Sequence, residues 1–224
     1  MITRIVLTKE LAAMQDDVLR MSSLVQTAIE RSMQAFIELD SEIAGKVISA
    51  DAEINRLRFA IEELCLQTLA TQQPAARDLR VVLATMTIAT ELERMGDHAT
   101  GIAKLAMRVH DDRLAPFPTA LQQMGDLGVT MLRRVITAFA ARDAQQAYAV
   151  ADDDEIMDAQ YQAVFHRLAA QLRADKLTTD YVLALLFAAH NLERVGDRIV
   201  NICERVIFAS SGELKELDEG ERNL

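Results

Sequence analysis

Apolar residues recur at steps of three and four along almost the whole chain, the spacing of helices that bury one side. Leu11, Met14, Val18, Met21, Val25, Ala28, Ser32 and Leu39 form the first series, with one longer gap, and predict a helix from about Thr8 to the Asp40-Ser41 pair. Either residue of that pair can cap the next helix through a side-chain oxygen. Ile43, Val47, Ala50, Ile54, Leu57, Ile61, Leu64 and Thr68 continue as a second stripe, which stops at Gln72-Gln73-Pro74. Proline disfavours helix in the residue before it but is tolerated in a first turn. Pro74 therefore separates the second helix from a third, running from about Ala75 to His110. Pro116 and Pro118 around Phe117 make the one obvious break. Three more helical segments follow near 119–141, 143–174 and 179–210, and the acidic ending after Gly212 is expected to fray.

A repeat organises these six segments. Residues Glu91-Leu92-Glu93-Arg94-Met95-Gly96-Asp97-His98 match Asn191-Leu192-Glu193-Arg194-Val195-Gly196-Asp197-Arg198 at five of eight positions, at an offset of 100. More loosely, Asp51-Ala52-Glu53-Ile54-Asn55 answers Asp154-Glu155-Ile156-Met157-Asp158 at an offset of 103. The expected fold is all-α, two tandem three-helix bundles related by duplication. The halves are 1–114 and 115–212, followed by a tail over 213–224. Three helices close an apolar seam, and short connections make them antiparallel neighbours.

Composition supports helices and narrows the function. Half of the residues are apolar but only 4% are aromatic, with no Trp, a balance that favours helix over strand. The net charge of −10 and the lack of a basic run argue against nucleic-acid binding, whose affinity comes from phosphate neutralisation. The same charge suits a protein that binds cations. Cys65 and Cys203 stand alone, with no CxxC spacing, and read as small apolar residues within helices. The N-terminus lacks a signal-peptide apolar region. The longest apolar stretch, 181–189, falls far short of the roughly 20 residues needed to span a bilayer. A cytoplasmic location without membrane insertion is expected.

The candidate chemistry lies in carboxylate stripes. On the third helix Glu93 and Asp97 stand four residues apart, off the seam formed by Ile88, Leu92, Met95, Ala99 and Ile102. Glu193 and Asp197 repeat the arrangement on the last helix, and Asn201 extends it by a turn. Asp51 with Asn55, and Asp154 with Asp158, lie beside the seams of neighbouring helices, so each half can face two pairs of oxygen ligands. Acidic residues at i,i+4 are most often a solvated face. Here, however, like charges at i,i+4 cost about 0.2–0.5 kcal/mol and a mid-helix glycine about 1 kcal/mol, yet both recur at matching positions. Gly96 and Gly196 would allow close approach of another group or ion. Oxygen donors suit Mg²⁺, Mn²⁺, Ca²⁺ or iron, and zinc less well because no histidine repeats in the stripes. Arg94 and Arg194 can orient a carboxylate, meet an anion or form ordinary ion pairs. His98, His110, His166 and His190 give no ligand pattern. No Ser-His-Asp order, P-loop or Rossmann pattern occurs, and nothing points to catalysis.

The segment Gln73-Pro74-Ala75-Ala76-Arg77-Asp78-Leu79-Arg80, followed by Glu91-Leu92-Glu93-Arg94-Met95-Gly96-Asp97, resembles the hallmark of PhoU proteins. Leu192-Glu193-Arg194-Val195-Gly196-Asp197-Arg198 with Asn201-Ile202-Cys203-Glu204 resembles that family's second copy, and the resemblance covers nearly the whole chain. It implies paired three-helix bundles that act as a negative regulator of phosphate uptake and of the phosphate-starvation response. It further implies partners, namely the ATPase of a phosphate ABC transporter and a sensor histidine kinase, and a homodimer. Family motifs of the form E/D-x-x-x-D bind metal clusters. They carry over to Glu93 and Asp97, to Glu193 and Asp197, to Asp154 and Asp158, and to Asp51 and Asn55. Asn at 55 and Gly101 opposite Asn201 depart from the pattern and imply weaker binding in the first half. Two alternatives differ in class. A carboxylate-bridged metal enzyme would usually carry Glu-x-x-His on two helices, which is missing here. A purely structural helical dimer would not need the repeated polar motif.

Overall fold

The computed structural model describes residues 2–109, 118–174 and 177–217. Among the described residues there are seven helices and no strand. They are α1 (Ile2–Glu38), α2 (Ser41–Gln72), α3 (Arg77–Ala106), α4 (Thr119–Ala141), α5 (Ala144–Ala151), α6 (Asp154–Arg173) and α7 (Thr179–Ser211). The all-α reading holds, and the helices pack as α1, α2 and α3 in one half and α4 to α7 in the other. The third helix ends at Ala106, short of the expected His110. The Pro116–Phe117 break and the half boundary after 114 fall on residues 110–117, outside the described residues.

Local chemistry sets the boundaries. Asp40 caps α2, its Oδ1 accepting the N–H groups of Glu42 at 2.8 Å and Ile43 at 3.0 Å. This satisfies two of the donors that a helix start leaves open. At the other end Gln73, at φ 50°, turns the chain before Pro74. The first helix begins earlier than expected, at Ile2 rather than near Thr8.

One predicted helix is divided. The segment expected over 143–174 breaks at Asp152-Asp153 into α5 and α6. Four consecutive acids, Asp152 to Glu155, explain the break. Negative charge is unfavourable at the C-terminal end of a helix and favourable at its start. The run therefore ends α5 and places Asp154 and Glu155 in the first turn of α6. Asp153 is drawn to Arg134 of α4 by an ion pair.

The seams read from the sequence are the core. Met14, Val18, Met21, Val25 and Ile29 of α1 meet Ile54 and Ile61 of α2 and Ile88, Leu92, Met95 and Ile102 of α3, all within 2% of complete burial. Each such side chain contributes about 1.5–3 kcal/mol when withdrawn from water. At 37 residues, α1 is about 55 Å long at a rise of about 1.5 Å per residue. It outruns its own half, and its far end packs on α4.

The two halves meet through α3 and α7, which lie antiparallel. Val81 and Ala84 near the start of α3 cluster with Ala209 near the end of α7, while Leu105 and Phe187 line one groove at the opposite ends. Between these ends Glu91 bonds Asn201, and Gly101 abuts Asn191. The relation is reciprocal at the repeat offset of 100, and Gly96 and Gly196 fall at the same level midway.

Candidate functional site

In the first half α2 and α3 bring the four predicted residues side by side. Asn55 Nδ2 donates to Asp51 Oδ2 at 2.9 Å, one turn away on α2. Asp51 Oδ1 is buried with no hydrogen-bond partner. Gly96 of α3 lies directly against it: a Cβ there would stand 3.4 Å from Oδ1 and 3.1 Å from Ile54 Cδ1. The close approach expected of the repeated glycine is therefore real, and the group it admits is a carboxylate of the neighbouring helix. Burial, and then the charge of Asp97, raise the Asp51 carboxyl above its ordinary range, against the charge of Lys104 and the polar groups of Thr100 and Asn55. Burial, then Asp97, with Asp51 adding to it, likewise raise Glu93, opposed by Arg58 and Arg94. These are the effects of desolvated, crowded like charges.

The stripe is not a simple solvated face. The Glu93 side chain is only 21% exposed, although Asp97 is exposed. One cation is already nearby. Arg58 Nε stands 3.9 Å from Glu93 Oε1, while its Nη1 pairs with Glu62 at 2.5 Å and its guanidinium lies over the Phe59 ring.

The second half repeats the layout. Asp154 and Asp158 of α6, and Glu193, Asp197 and Asn201 of α7, line one cavity of about 510 Å³, together with Arg194, Arg198, Glu204 and Glu216. A Cβ at Gly196 would be 2.6 Å from Asp154 Oδ1 and 3.2 Å from Met157 Cγ, so a side chain at 196 would push the Asp154 carboxylate aside and crowd Met157. Glu193 is raised by burial and then by Asp197, against His190 and Arg194. His190 Nδ1 lies 3.3 Å from Glu193 Oε2, and Arg194 Nη1 lies 2.7 Å from Asp197 Oδ2. All nine predicted site residues thus sit in two matching groups. Among the described residues no three carboxylate, histidine or cysteine side chains converge closely enough to form a ready-made ion cage.

Sequence reasoning missed the residue that joins the halves. Glu91 is 5% exposed. Its Oε2 accepts from Arg198 Nη1 at 3.3 Å and Asn201 Nδ2 at 3.2 Å, and its Oε1 accepts from Arg94 Nη1 at 3.2 Å. Arg94 therefore pairs with Glu91 and Arg194 with the stripe. Asn201 is held to the first half by its amide nitrogen. The available signal was the mismatch of Glu91 with Asn191, one of three in the eight-residue repeat. In the reciprocal position His98 Nδ1 is 3.1 Å from Asn191 Oδ1. Burial lowers the His98 pKa, and the charges of Arg198 and Arg194 add to this against the Asn191 hydrogen bond.

The two thiols behave as apolar packing residues. Cys65 and Cys203 are free and buried. Burial pushes Cys65 up to about 12 and raises Cys203 as well. No helix among the described residues is long and apolar enough to cross a membrane.

Comparison with known proteins agrees with this arrangement. The family model described as PhoU domain matches twice, over 18–106 and 121–206. A relative from Streptococcus pneumoniae serotype 4, a phosphate-specific transport system accessory protein PhoU homolog, is 35% identical over 93% of this chain and 97% of its own length. The Escherichia coli K12 phosphate-specific transport system accessory protein PhoU is 32% identical over 91% of this chain and 85% of its own. Among solved structures, the phosphate transport system regulatory protein PhoU from Streptococcus pneumoniae superposes with a TM-score of 0.89 at 34% identity, covering 94% of this chain and all of that one. PhoU from Pseudomonas aeruginosa gives a TM-score of 0.87 at 31% identity, with 92% and 99% covered.

Proposed function

The chain belongs to the PhoU family, and on that premise we propose that it is a cytoplasmic negative regulator of phosphate uptake and of the phosphate-starvation response. It acts as a homodimeric adaptor between the ATPase of a phosphate ABC transporter and a sensor histidine kinase, and it is not an enzyme. Support for the regulatory part comes from relatives described as accessory or regulatory proteins of phosphate transport. Cations held at the carboxylate stripes would firm the bundle or bridge to polar groups of a partner.

The observation that carries the cation reading is the pairing of facing carboxylates in each half, which in the second line a cavity of about 510 Å³. Their chemistry fits a hard divalent or trivalent ion such as Mg²⁺, Mn²⁺, Ca²⁺ or iron. Asp154, Asp158, Glu193, Asp197 and Asn201 would hold it in the second half, and Asp51, Asn55, Glu93 and Asp97 in the first. The buried, unpartnered Asp51 Oδ1 and the raised Asp51, Glu93 and Glu193 carboxyls fit an oxygen set that a positive charge would relieve. Side chains would have to draw together around the ion. The first half, with Asn55 in place of an acid and Gly101 where the second half has Asn201, would bind more weakly.

The experiment is a gene deletion read with a phosphate-starvation reporter in phosphate-rich medium. Reporter activity should rise and fall again when the wild-type chain is restored. Restoration by a variant with Glu93, Asp97, Glu193 and Asp197 all changed to Ala would reject the role of the stripes. An unchanged reporter in the deletion strain would reject the regulatory reading.

A further inference from the structure

Helix α7 ends in a built turn. Gly212 has φ 87°, a conformation that L side chains rarely adopt, and its N–H donates to the Phe208 carbonyl at 2.9 Å. A Cβ at that position would stand 3.4 Å from Arg80 Cζ of α3. The glycine thus lets the chain reverse directly beneath a guanidinium of the first half. The Glu213 N–H then donates to Ser211 Oγ at 3.0 Å.

The reversed segment returns to the acidic cavity. The Leu217 N–H donates to Glu204 Oε1 at 2.9 Å, the Leu217 side chain packs on the core edge, and Glu216 and Leu217 both line the cavity. Glu204 lies seven residues before the helix end at Ser211, about 10 Å back along the axis at the helical rise. Five extended residues reach about 16 Å, so the chain from 213 to 217 has the length to double back along α7. Glu204 Oε2 is held by Arg205 Nη2 at 3.4 Å, which leaves Oε1 for the returning amide.

We propose that Gly212–Leu217 is a strap that closes one end of the second-half cavity, latched by the Leu217 amide on Glu204 and carrying the Glu216 carboxylate to the rim. Its importance rests on the cavity being a cation site as proposed above, whereas its existence as a latch rests on these contacts alone. A hydrated ion or a partner side chain entering from this end displaces the strap first. A carboxylate carried on it adds to the attraction for cations and repels anions.

The test reads access without needing a bound ion. Asp158→Cys places a reactive thiol on the cavity wall, and both native cysteines are buried. Modification by a bulky maleimide is timed by mass spectrometry under native conditions. Three proteins are compared: the full chain, a chain ended at Gly212, and the full chain with Leu217→Pro, which removes the donating N–H. Labelling should speed up roughly tenfold to a hundredfold in the last two, the factor supplied by a hydrogen bond to a charged acceptor. A first-half Asp97→Cys reporter should not change. Equal Asp158→Cys rates in the full chain and in either variant with unchanged helix content would overturn the strap. Mn²⁺ titration of the full chain with Asp158 intact separates the two readings. Lack of Mn²⁺ binding there would reject the cation site, while the labelling rates of the Asp158→Cys proteins would still decide the strap.

Discussion

Removing the Glu91 carboxylate should weaken the junction of the two halves more than its single position suggests. In Glu91→Ala the Arg198 guanidinium, whose side chain is 16% exposed, loses its acceptor, and so does the Asn201 amide. Hydrogen bonds to a charged group contribute about 1.5–3 kcal/mol each, and separations of 3.2 and 3.3 Å place both at the low end. The Arg94 pair, with Arg94 half exposed, adds at most about 1 kcal/mol. The expected loss is about 3 kcal/mol, consistent with breaking a buried ion pair from one side. For a chain of this size it corresponds to a fall in melting temperature of about 6–12 °C. Urea unfolding at unchanged slope would measure it, with Glu63→Ala, at an exposed helical position, as a control expected within about 0.5 kcal/mol. Glu91→Gln should lie between the two, since one acceptor oxygen remains. A double-mutant cycle with Asn201→Ala should return a coupling of about 0.5–3 kcal/mol. A loss below about 1 kcal/mol for Glu91→Ala, or no coupling to Asn201, would refute the reasoning.

Gly196→Ala should destabilise by about 1–3 kcal/mol through overpacking, because its Cβ meets a carboxylate and Met157. Gly96→Ala should cost much less, since Ile54 can yield and alanine regains helix propensity; equal losses in melting experiments would contradict the glycine geometry. The raised carboxyls give a pH sign. Asp51, Glu93 and Glu193 bind protons more tightly folded than unfolded. Their contribution is therefore fully favourable below the unfolded values of 3.8 and 4.5 and is lost as pH rises through the higher folded values. Glu193→Gln should then stabilise the metal-free protein at neutral pH, with an advantage that shrinks toward pH 4.5; a constant difference across pH would refute this. Added Mn²⁺ should raise the melting temperature of the wild type, and Glu193→Ala with Asp197→Ala should remove most of the shift. If Glu93→Ala with Asp97→Ala removed more, the ranking of the halves would be reversed. Finally, Cys65, with its thiol pushed up to about 12, should resist maleimide at pH 7 until the protein unfolds.

Much of the fold was readable because helical burial leaves a periodic trace. The stripe from Met14 to Ser32 is a buried line of α1, and of the two cap candidates Asp40 makes the cap. The division of 143–174 was less visible. Apolar spacing does not report that four adjacent acids favour a new helix start over the end of an old one. The carboxylate pairs were legible because duplication printed them twice, and Gly96 and Gly196 pointed to the close approach of α2 and α6. Glu91 escaped notice because its partners across the junction, Arg198 and Asn201, lie more than a hundred residues away. A single acid beside an apolar seam looks the same whether it faces water or an arginine.

The reciprocal fit of α3 against α7 has the form of a twofold homodimer interface held within one chain. In a true homodimer every substitution lands twice, so an acid at the position of Glu91 would bring its twin with it. In a tandem chain each substitution lands once. Glu91 can then reach across to Arg198 and Asn201 while its counterpart Asn191 faces His98 and Gly101. Fusion has freed the two sides of one symmetric contact to take different charges.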